Sequence, residues 1–359
     1  MQHHVTTARA VLPCVALLAV CVITGCESAE AFDAPSSSSA SLHRTPICTH
    51  VVTREHMVDV GDGVRLHVVE RFTLDSLARP RRRALLMLPA TLVTSAQWNP
   101  DVPGDTDASY NGLIRAARAG YFAYAVTYEG YGASSAPADG STVTAERLLG
   151  EMGEVVEWVR NRTHARRVDL IGSSIGSSLA VALGSDLSPI DPDHIGRVVV
   201  TSHVHRDVTP LFREIFFSPE LRAMLEGAPN GYAMTTPEAY GLILALATPE
   251  AVSYGFATFP GVYATGPTLE GFDLPLFDAS HGRAPLLQVW GDADLITPRS
   301  DVDQFQAEYG GHAELAVLPG GGHAPNFEPV RDQLWDEVFD FLDVTPGICA
   351  RHAASSDAH

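Results

Sequence analysis

The pentapeptide Gly172-Ser173-Ser174-Ile175-Gly176 follows the apolar run Val168-Asp169-Leu170-Ile171 and leads into a helical pattern over 177–183. A serine between two such glycines, at a sharp strand-to-helix turn, has its hydroxyl lifted to the carboxyl end of a sheet. The glycines permit close approach of strand and helix. The first helical amide, on Ile175, is placed to donate to an oxyanion, helped by the positive end of the helix. Serine becomes nucleophilic at neutral pH only beside a base held by an acid. With a turn of this kind the expected chain order is Ser, then Asp or Glu, then His. Two later strand ends supply those groups. The run 286–290 is followed by Gly291-Asp292-Ala293-Asp294-Leu295-Ile296-Thr297-Pro298, and the run 314–318 by Pro319-Gly320-Gly321-Gly322-His323. The chemistry on offer is acyl transfer, with Ser174 as nucleophile, His323 as base, and Asp294 and Asp292 competing for the acid.

These groups meet only if the elements carrying them run the same way. Alternating and β-branched stretches predict strands at 55–60, 65–72, 84–88, 121–127, 168–171, 197–201, 286–290 and 314–318. Helical patterns lie at 110–119, 144–161, 175–185, 299–309 and 330–342. The first two strands face each other across Gly61-Asp62-Gly63, a hairpin signal. The rest alternate strand and helix, which predicts a mostly parallel sheet covered on both faces. The strand carboxyl ends then share one edge, and Ser174, both aspartates and His323 fall on it. One segment breaks the rhythm. Some eighty residues after the strand ending near Thr201 show no β/α alternation, and a structureless loop of that length is implausible in a compact domain. It reads as an inserted helical cap over 205–282, holding eleven of the chain's 28 aromatic residues. Two of its stretches, 227–237 and 239–249, carry no charge.

With these motifs in place the chain resembles the capped α/β-hydrolase family from about residue 55 to 342. The family's G-x-x-D-x-(I/V)-x-P is matched with Asp294 at the aspartate, and its glycine–histidine pair before the last helix by Gly322-His323, 29 residues on. Thr127-Tyr128-Glu129-Gly130-Tyr131-Gly132-Ala133-Ser134 resembles the D-x-R-G-x-G-x-S turn that braces the nucleophile's surroundings. Thr127 and Glu129 replace its aspartate and arginine, so that turn's ion pairing is expected to be lost. Leu88-Pro89-Ala90-Thr91 stands where the family has H-G-x-P, which assigns the second oxyanion amide to Thr91, with Leu92 as the alternative. The resemblance implies an α/β-hydrolase fold: a mostly parallel eight-stranded sheet with helices on both faces and the cap inserted after the sixth strand. It also implies hydrolysis through a Ser–His–Asp triad and an acyl-enzyme, no cofactor, and a small-molecule ester as substrate. Peptidase, amidase, thioesterase and carbon–carbon hydrolase activities are the alternatives within the fold, and a binding protein on the same scaffold is a third reading. The serine nucleophile sets the chain apart from haloalkane dehalogenases and epoxide hydrolases, which use an aspartate there.

A rival constellation, His203-Val204-His205-Arg206-Asp207, begins like a metal-hydrolase signature. Val208 stands where the next histidine ligand belongs, so the segment is expected to line the pocket floor, with Asp207 a remote alternative acid. Composition removes other classes. The chain of 359 residues has a formal net charge of −19 and no lysine. Schiff-base chemistry and a Ser–Lys dyad are therefore impossible, and no basic surface for nucleic acid or anionic lipid is expected.

The N-terminal region reads differently from the domain. Arg9 precedes an apolar run over residues 10–23, about 21 Å as a helix and short for a bilayer, which points to a signal peptide over 1–25. Ile23-Thr24-Gly25-Cys26 resembles the bacterial lipoprotein box, with Cys26 the lipidated residue, followed by a serine-rich tether over 26–46. A cell-envelope lipoprotein held to the membrane only by that lipid is the expectation, a plain secreted protein the alternative. Cys48 and Cys349 then flank the domain (47–204 and 283–349, with a tail over 350–359) and are expected to form a disulfide in an oxidising compartment.

Overall fold

The computed structural model describes residues 50–79 and 81–343. The signal-like segment, the tether, the tail, Cys26, Cys48 and Cys349 lie outside them.

In chain order the core begins with β1 (Val51–Asp59), β2 (Arg65–Thr73), α1 (Leu74–Ala78), β3 (Ala84–Leu88), α2 (Gly112–Arg118) and β4 (Phe122–Val126). It continues with α3 (Ala145–Thr163), β5 (Val168–Ser173), α4 (Ile175–Leu183) and β6 (Ile195–Thr201). The inserted segment carries α5 (Pro210–Phe216), α6 (Pro219–Glu226), β7 (Tyr232–Met234), α7 (Pro249–Thr258), β8 (Val262–Ala264) and α8 (Gly266–Glu270). The core resumes with β9 (Leu286–Gly291), α9 (Arg299–Glu308), β10 (Ala313–Leu318) and α10 (Arg331–Phe341).

Eight strands form one sheet in the order β1-β2-β4-β3-β5-β6-β9-β10. The pairs β1–β2 and β2–β4 are antiparallel, and every pairing from β4–β3 to β9–β10 is parallel. The fold is the α/β-hydrolase fold expected from the sequence. The β1–β2 turn needs its glycines, because Gly61, Asp62 and Gly63 all take positive φ (92°, 50° and 77°). The central strands are apolar throughout because helices cover both faces; every residue of β3 and β4 is buried. On one face α2 and α10 bring Leu113, Ala116, Leu334, Trp335 and Val338 onto the sheet. On the other, α3 and α4 bring Leu148, Met152, Val155, Val156 and Leu179, with Phe305 of α9. Each of the leucine, valine, methionine and phenylalanine side chains among them, fully buried, contributes roughly 1.5–3 kcal/mol before entropy is set against it.

Among the departures from the expectation, α1 (Leu74–Ala78) was not foreseen. β1 starts at Val51 rather than 55. The cap is not purely helical, since β7 and β8 pair antiparallel within it (Tyr232 with Ala264, Met234 with Val262). Three-residue strands are too short to show a period of two, so the ribbon leaves no readable pattern.

Candidate active site

Ser174 lies between the last residue of β5 and the first of α4, at φ 53° and ψ −119°. A non-glycine residue there is strained by about 1–3 kcal/mol and persists only where its surroundings over-determine it. They do so here. The Ser174 amide donates to the Thr201 carbonyl (3.1 Å), and Ser177 Oγ donates to the same oxygen (2.8 Å). A Cβ on Gly172 would lie 2.2 Å from the Gly176 oxygen, and one on Gly176 would lie 2.4 Å from the Leu88 oxygen. The two glycines are therefore required by close approach, one within the turn and one against the end of β3.

The loop after β9 supplies the acid and the loop after β10 the base. His323 Nδ1 lies 2.9 Å from Asp294 Oδ2 and 3.2 Å from Oδ1. A carboxylate only accepts, so Nδ1 carries the proton and Nε2 is left free to take one. Asp294 Oδ1 also accepts the amides of Ile296 (2.7 Å) and Thr297 (3.2 Å), which fix the carboxylate from behind. The Asp294 side chain is 1 % exposed and that of His323 7 %. Asp292, the competing acid, is exposed and accepts the Gly320 amide at 2.6 Å, bracing the histidine loop rather than the imidazole. Asp207 is half-exposed and paired with Arg213.

Ser174, Ile175, Thr91, Leu92 and His323 all line one cavity of about 400 Å³. In the loop after β3, hydrogen bonding narrows the choice of oxyanion amide. Pro89 has no N–H, and the Ala90 amide donates to Gln97 Oε1 (2.7 Å). That leaves Thr91 and Leu92, and the motif resemblance favours Thr91. On the other side, Ile175 is the first residue of α4, where an amide has no acceptor within its own helix.

The cap roofs the cavity. Phe212, Phe216, Phe217, Leu221, Met224, Leu225, Ile243, Tyr263 and Phe272 face it, and among the described residues no carboxylate or guanidinium does. The histidine pair after β6 lies outside this cavity. His205 Nε2 is 2.8 Å from Glu308 Oε2, while His203 is buried against Phe305 with its ring centroid 4.4 Å away. Burial pushes the His203 imidazole down to about 3, so it is neutral. No group of three or more candidate metal ligands occurs among the described residues.

Two supports were not foreseen. Glu328 is fully buried, and its carboxylate accepts the amides on both sides of His323, Gly322 at 2.6 Å and Ala324 at 2.9 Å. Burial raises its pKa against the pull of those two amides, and the Asp294 charge adds to the rise. Secondly, the ion pairing expected to be lost at Glu129 is present with a different partner. Arg147 of α3 donates to Glu129 Oε1 at 2.7 Å and to Glu151 Oε1 at 3.3 Å. Thr127, in the aspartate's place, bonds Ser95 instead, its Oγ1 accepting the Ser95 amide at 3.1 Å.

A sequence model described as the alpha/beta hydrolase family matches residues 85–333. A search of curated protein sequences finds no match. Among solved structures, a hydrolase from Pseudomonas aeruginosa PA01 is 21% identical, with TM-score 0.57, over 80% of this chain and 98% of that one. A bromoperoxidase from Bacillus anthracis is 16% identical, with TM-score 0.58, over 81% and 100%. A thioesterase domain from the curacin biosynthetic pathway is 15% identical, with TM-score 0.55, over 80% and 99%. At these identities the likeness is one of fold.

Proposed function

The chain belongs to the alpha/beta hydrolase family, and from that premise we propose that it is a serine hydrolase cleaving carboxylic esters of uncharged, apolar substrates through an acyl-enzyme. The observation that carries the proposal is the strained Ser174 sharing a cavity with an imidazole whose Nδ1 is held by a buried Asp294. His323 Nε2 takes the Ser174 proton as Oγ attacks the ester carbonyl. The Ile175 and Thr91 amides stabilise the oxyanion, and Asp294 stabilises the imidazolium. As the tetrahedral adduct collapses, the alcohol leaves with the proton from His323. Water, deprotonated by the same nitrogen, then attacks the acyl-enzyme and releases the acid and Ser174. No step needs a cofactor.

The cavity supports the substrate class. Its volume suits a medium-sized ligand, its walls are mostly aliphatic and aromatic, and no guanidinium among the described residues lines it to hold a substrate carboxylate. Thioesters and amides would meet the same nucleophile, so the choice of ester rests on a substrate panel. An active-site phosphonate should label wild-type protein and not Ser174→Ala, which should lose about 10⁶-fold in kcat with its fold intact. On p-nitrophenyl esters from acetyl to decanoyl, kcat/KM should climb until the cavity is full, since each buried methylene is worth about 0.8 kcal/mol. Turnover retained by Ser174→Ala overturns the triad. A monotonic fall from acetyl onward, or faster thioester cleavage, overturns the substrate assignment.

A further inference from the structure

We propose that Gln97 is a positioning residue for this reaction, holding the loops that carry the nucleophile, the base and the Thr91 amide in one register. The proposal rests on the serine acyl-transfer mechanism. The Gln97 side chain is buried, 6 % exposed, in the cavity wall. Its Oε1 accepts the Ala90 amide at 2.7 Å, and its Nε2 donates to Ser173 Oγ at 2.9 Å. Its main-chain carbonyl accepts Asn326 Nδ2 at 3.1 Å. Each partner sits beside a reacting group: Ala90 precedes Thr91, Ser173 precedes Ser174, and Asn326 follows His323 by three residues. One residue of the loop after β3 therefore ties the start of that loop to the end of β5 and to the loop after β10.

The amide cannot turn over. The Ala90 N–H can only donate, so the Gln97 oxygen must face it and the NH₂ group must face Ser173. Gln97 is itself fixed from behind, as the last residue of a helical turn over Ser95–Gln97 whose first amide is held by Thr127 Oγ1. Its neighbour Trp98 donates from Nε1 to the Leu88 carbonyl at 3.1 Å, where β3 ends. The start of the oxyanion loop is braced from further along the same loop. Pro89 has no N–H and is held through its carbonyl, which accepts the Tyr128 hydroxyl at 2.8 Å. Ala90 has no polar side chain, so its amide bond to Gln97 is the remaining tie on the side of Thr91. With Ala90 pinned, the adjoining Thr91 amide is kept where it can donate to an oxyanion across from Ile175. An amide preorganised in this way acts mainly on the charged transition state, and loss of one such donor costs about 10²–10³ in kcat.

Gln97→Leu keeps the approximate volume and removes both side-chain bonds. On a neutral p-nitrophenyl ester we expect kcat to fall roughly 10²-fold with KM within about threefold of the parent. Affinity for a trifluoromethyl ketone, whose adduct with Ser174 bears the oxyanion, should fall in parallel. Gln97→Glu tests the same point should the leucine variant fail to fold. Its neutral carboxyl retains one acceptor for Ala90 and one donor for Ser173, whereas its carboxylate loses the donor and sets a negative charge near the oxyanion. The ratio of variant to parent kcat should therefore fall as pH rises through the new carboxyl's titration. A kcat within threefold of the parent in a folded Gln97→Leu protein overturns the proposal. So does a loss confined to KM, or a pH-independent ratio for Gln97→Glu. Phosphonate labelling and ester hydrolysis by the unmodified protein are separate checks, and failure there removes the acyl-transfer reading itself.

Discussion

Replacing Asp294 with asparagine changes one atom, and the surrounding amides decide the consequence. Oδ1 accepts from Ile296 and Thr297 while Oδ2 faces His323 Nδ1. Two main-chain N–H groups demand an oxygen at the first position, so the asparagine NH₂ must take the second. It then donates to Nδ1, which has to accept, and the imidazole proton moves to Nε2. In that tautomer the base cannot receive the Ser174 proton. The corresponding change in the well-studied serine protease triad lowers kcat by about 10⁴, or about 5 kcal/mol of barrier, and a loss of that order is expected here. Stability should change much less, because the two amide bonds survive and only one charge-assisted bond, worth about 1.5–3 kcal/mol, is weakened. Asp292→Asn is the control. Its exposed side chain keeps an oxygen for Gly320, and kcat should stay within threefold of the parent. The assay is kcat on a p-nitrophenyl ester, corrected for active-site content by phosphonate titration, with thermal melts of all three proteins. A folded Asp294→Asn enzyme within tenfold of the parent, or Asp292→Asn as the more severe variant, refutes the reasoning.

Three other expectations come from buried carboxylates and from the flanking cysteines. The Glu151 carboxyl is pushed up from 4.5 to about 8, by burial first and by the neighbouring Glu129 charge second. Between about pH 4.5 and 8 the folded chain thus holds a proton that the unfolded chain has released, so stability falls as pH rises through that window. Glu151→Gln should remove the slope, its gain in Tm over the parent being small near pH 5 and largest above pH 8; equal differences at pH 5 and 9 would contradict this. Glu328→Gln leaves one oxygen for two amides and sets an NH₂ against the other, at a cost of about 1–3 kcal/mol. Both Tm and kcat should drop, and a variant unchanged in both would show that the carboxylate does not hold the histidine loop. In protein exported to an oxidising compartment, Cys48 and Cys349 are expected to be bonded, adding on the order of 5 kcal/mol in the chain-entropy model; two free thiols in denatured, unreduced protein would exclude the bond.

How much of this was legible in the sequence depends on how local each feature is. Ser174 and its flanking glycines form one turn, and the strand before and helix after it are set by patterns of a few residues. The parallel run of most strands followed from β/α alternation, and their shared direction placed the aspartate and histidine loops at one edge. The preference for Asp294 over Asp292 came from the family motif alone; the feature that sets Asp294 apart in the fold, a carboxylate accepting amides two and three residues on, is contained within one loop. The supports are different in kind. Gln97 meets Ser173 across 76 positions of chain, and Asn326 meets Gln97 across 229. No spacing announces such pairs, because their partners are decided by which loops the packed sheet brings together. The same cause explains the misjudged ion pair at Glu129. Read as a motif, a glutamate in place of arginine meant a lost contact. In the fold, Arg147 on α3 lies within reach and pairs with it. In the loop after β3, the unusual Pro89-Ala90 is secured by Gln97 seven residues further along and by the Tyr128 hydroxyl on the Pro89 carbonyl. Departures from a motif are thus poor evidence for loss of a site while the strand ends carrying it stay in register, since a neighbouring element can supply the missing hydrogen bond from anywhere in the sequence.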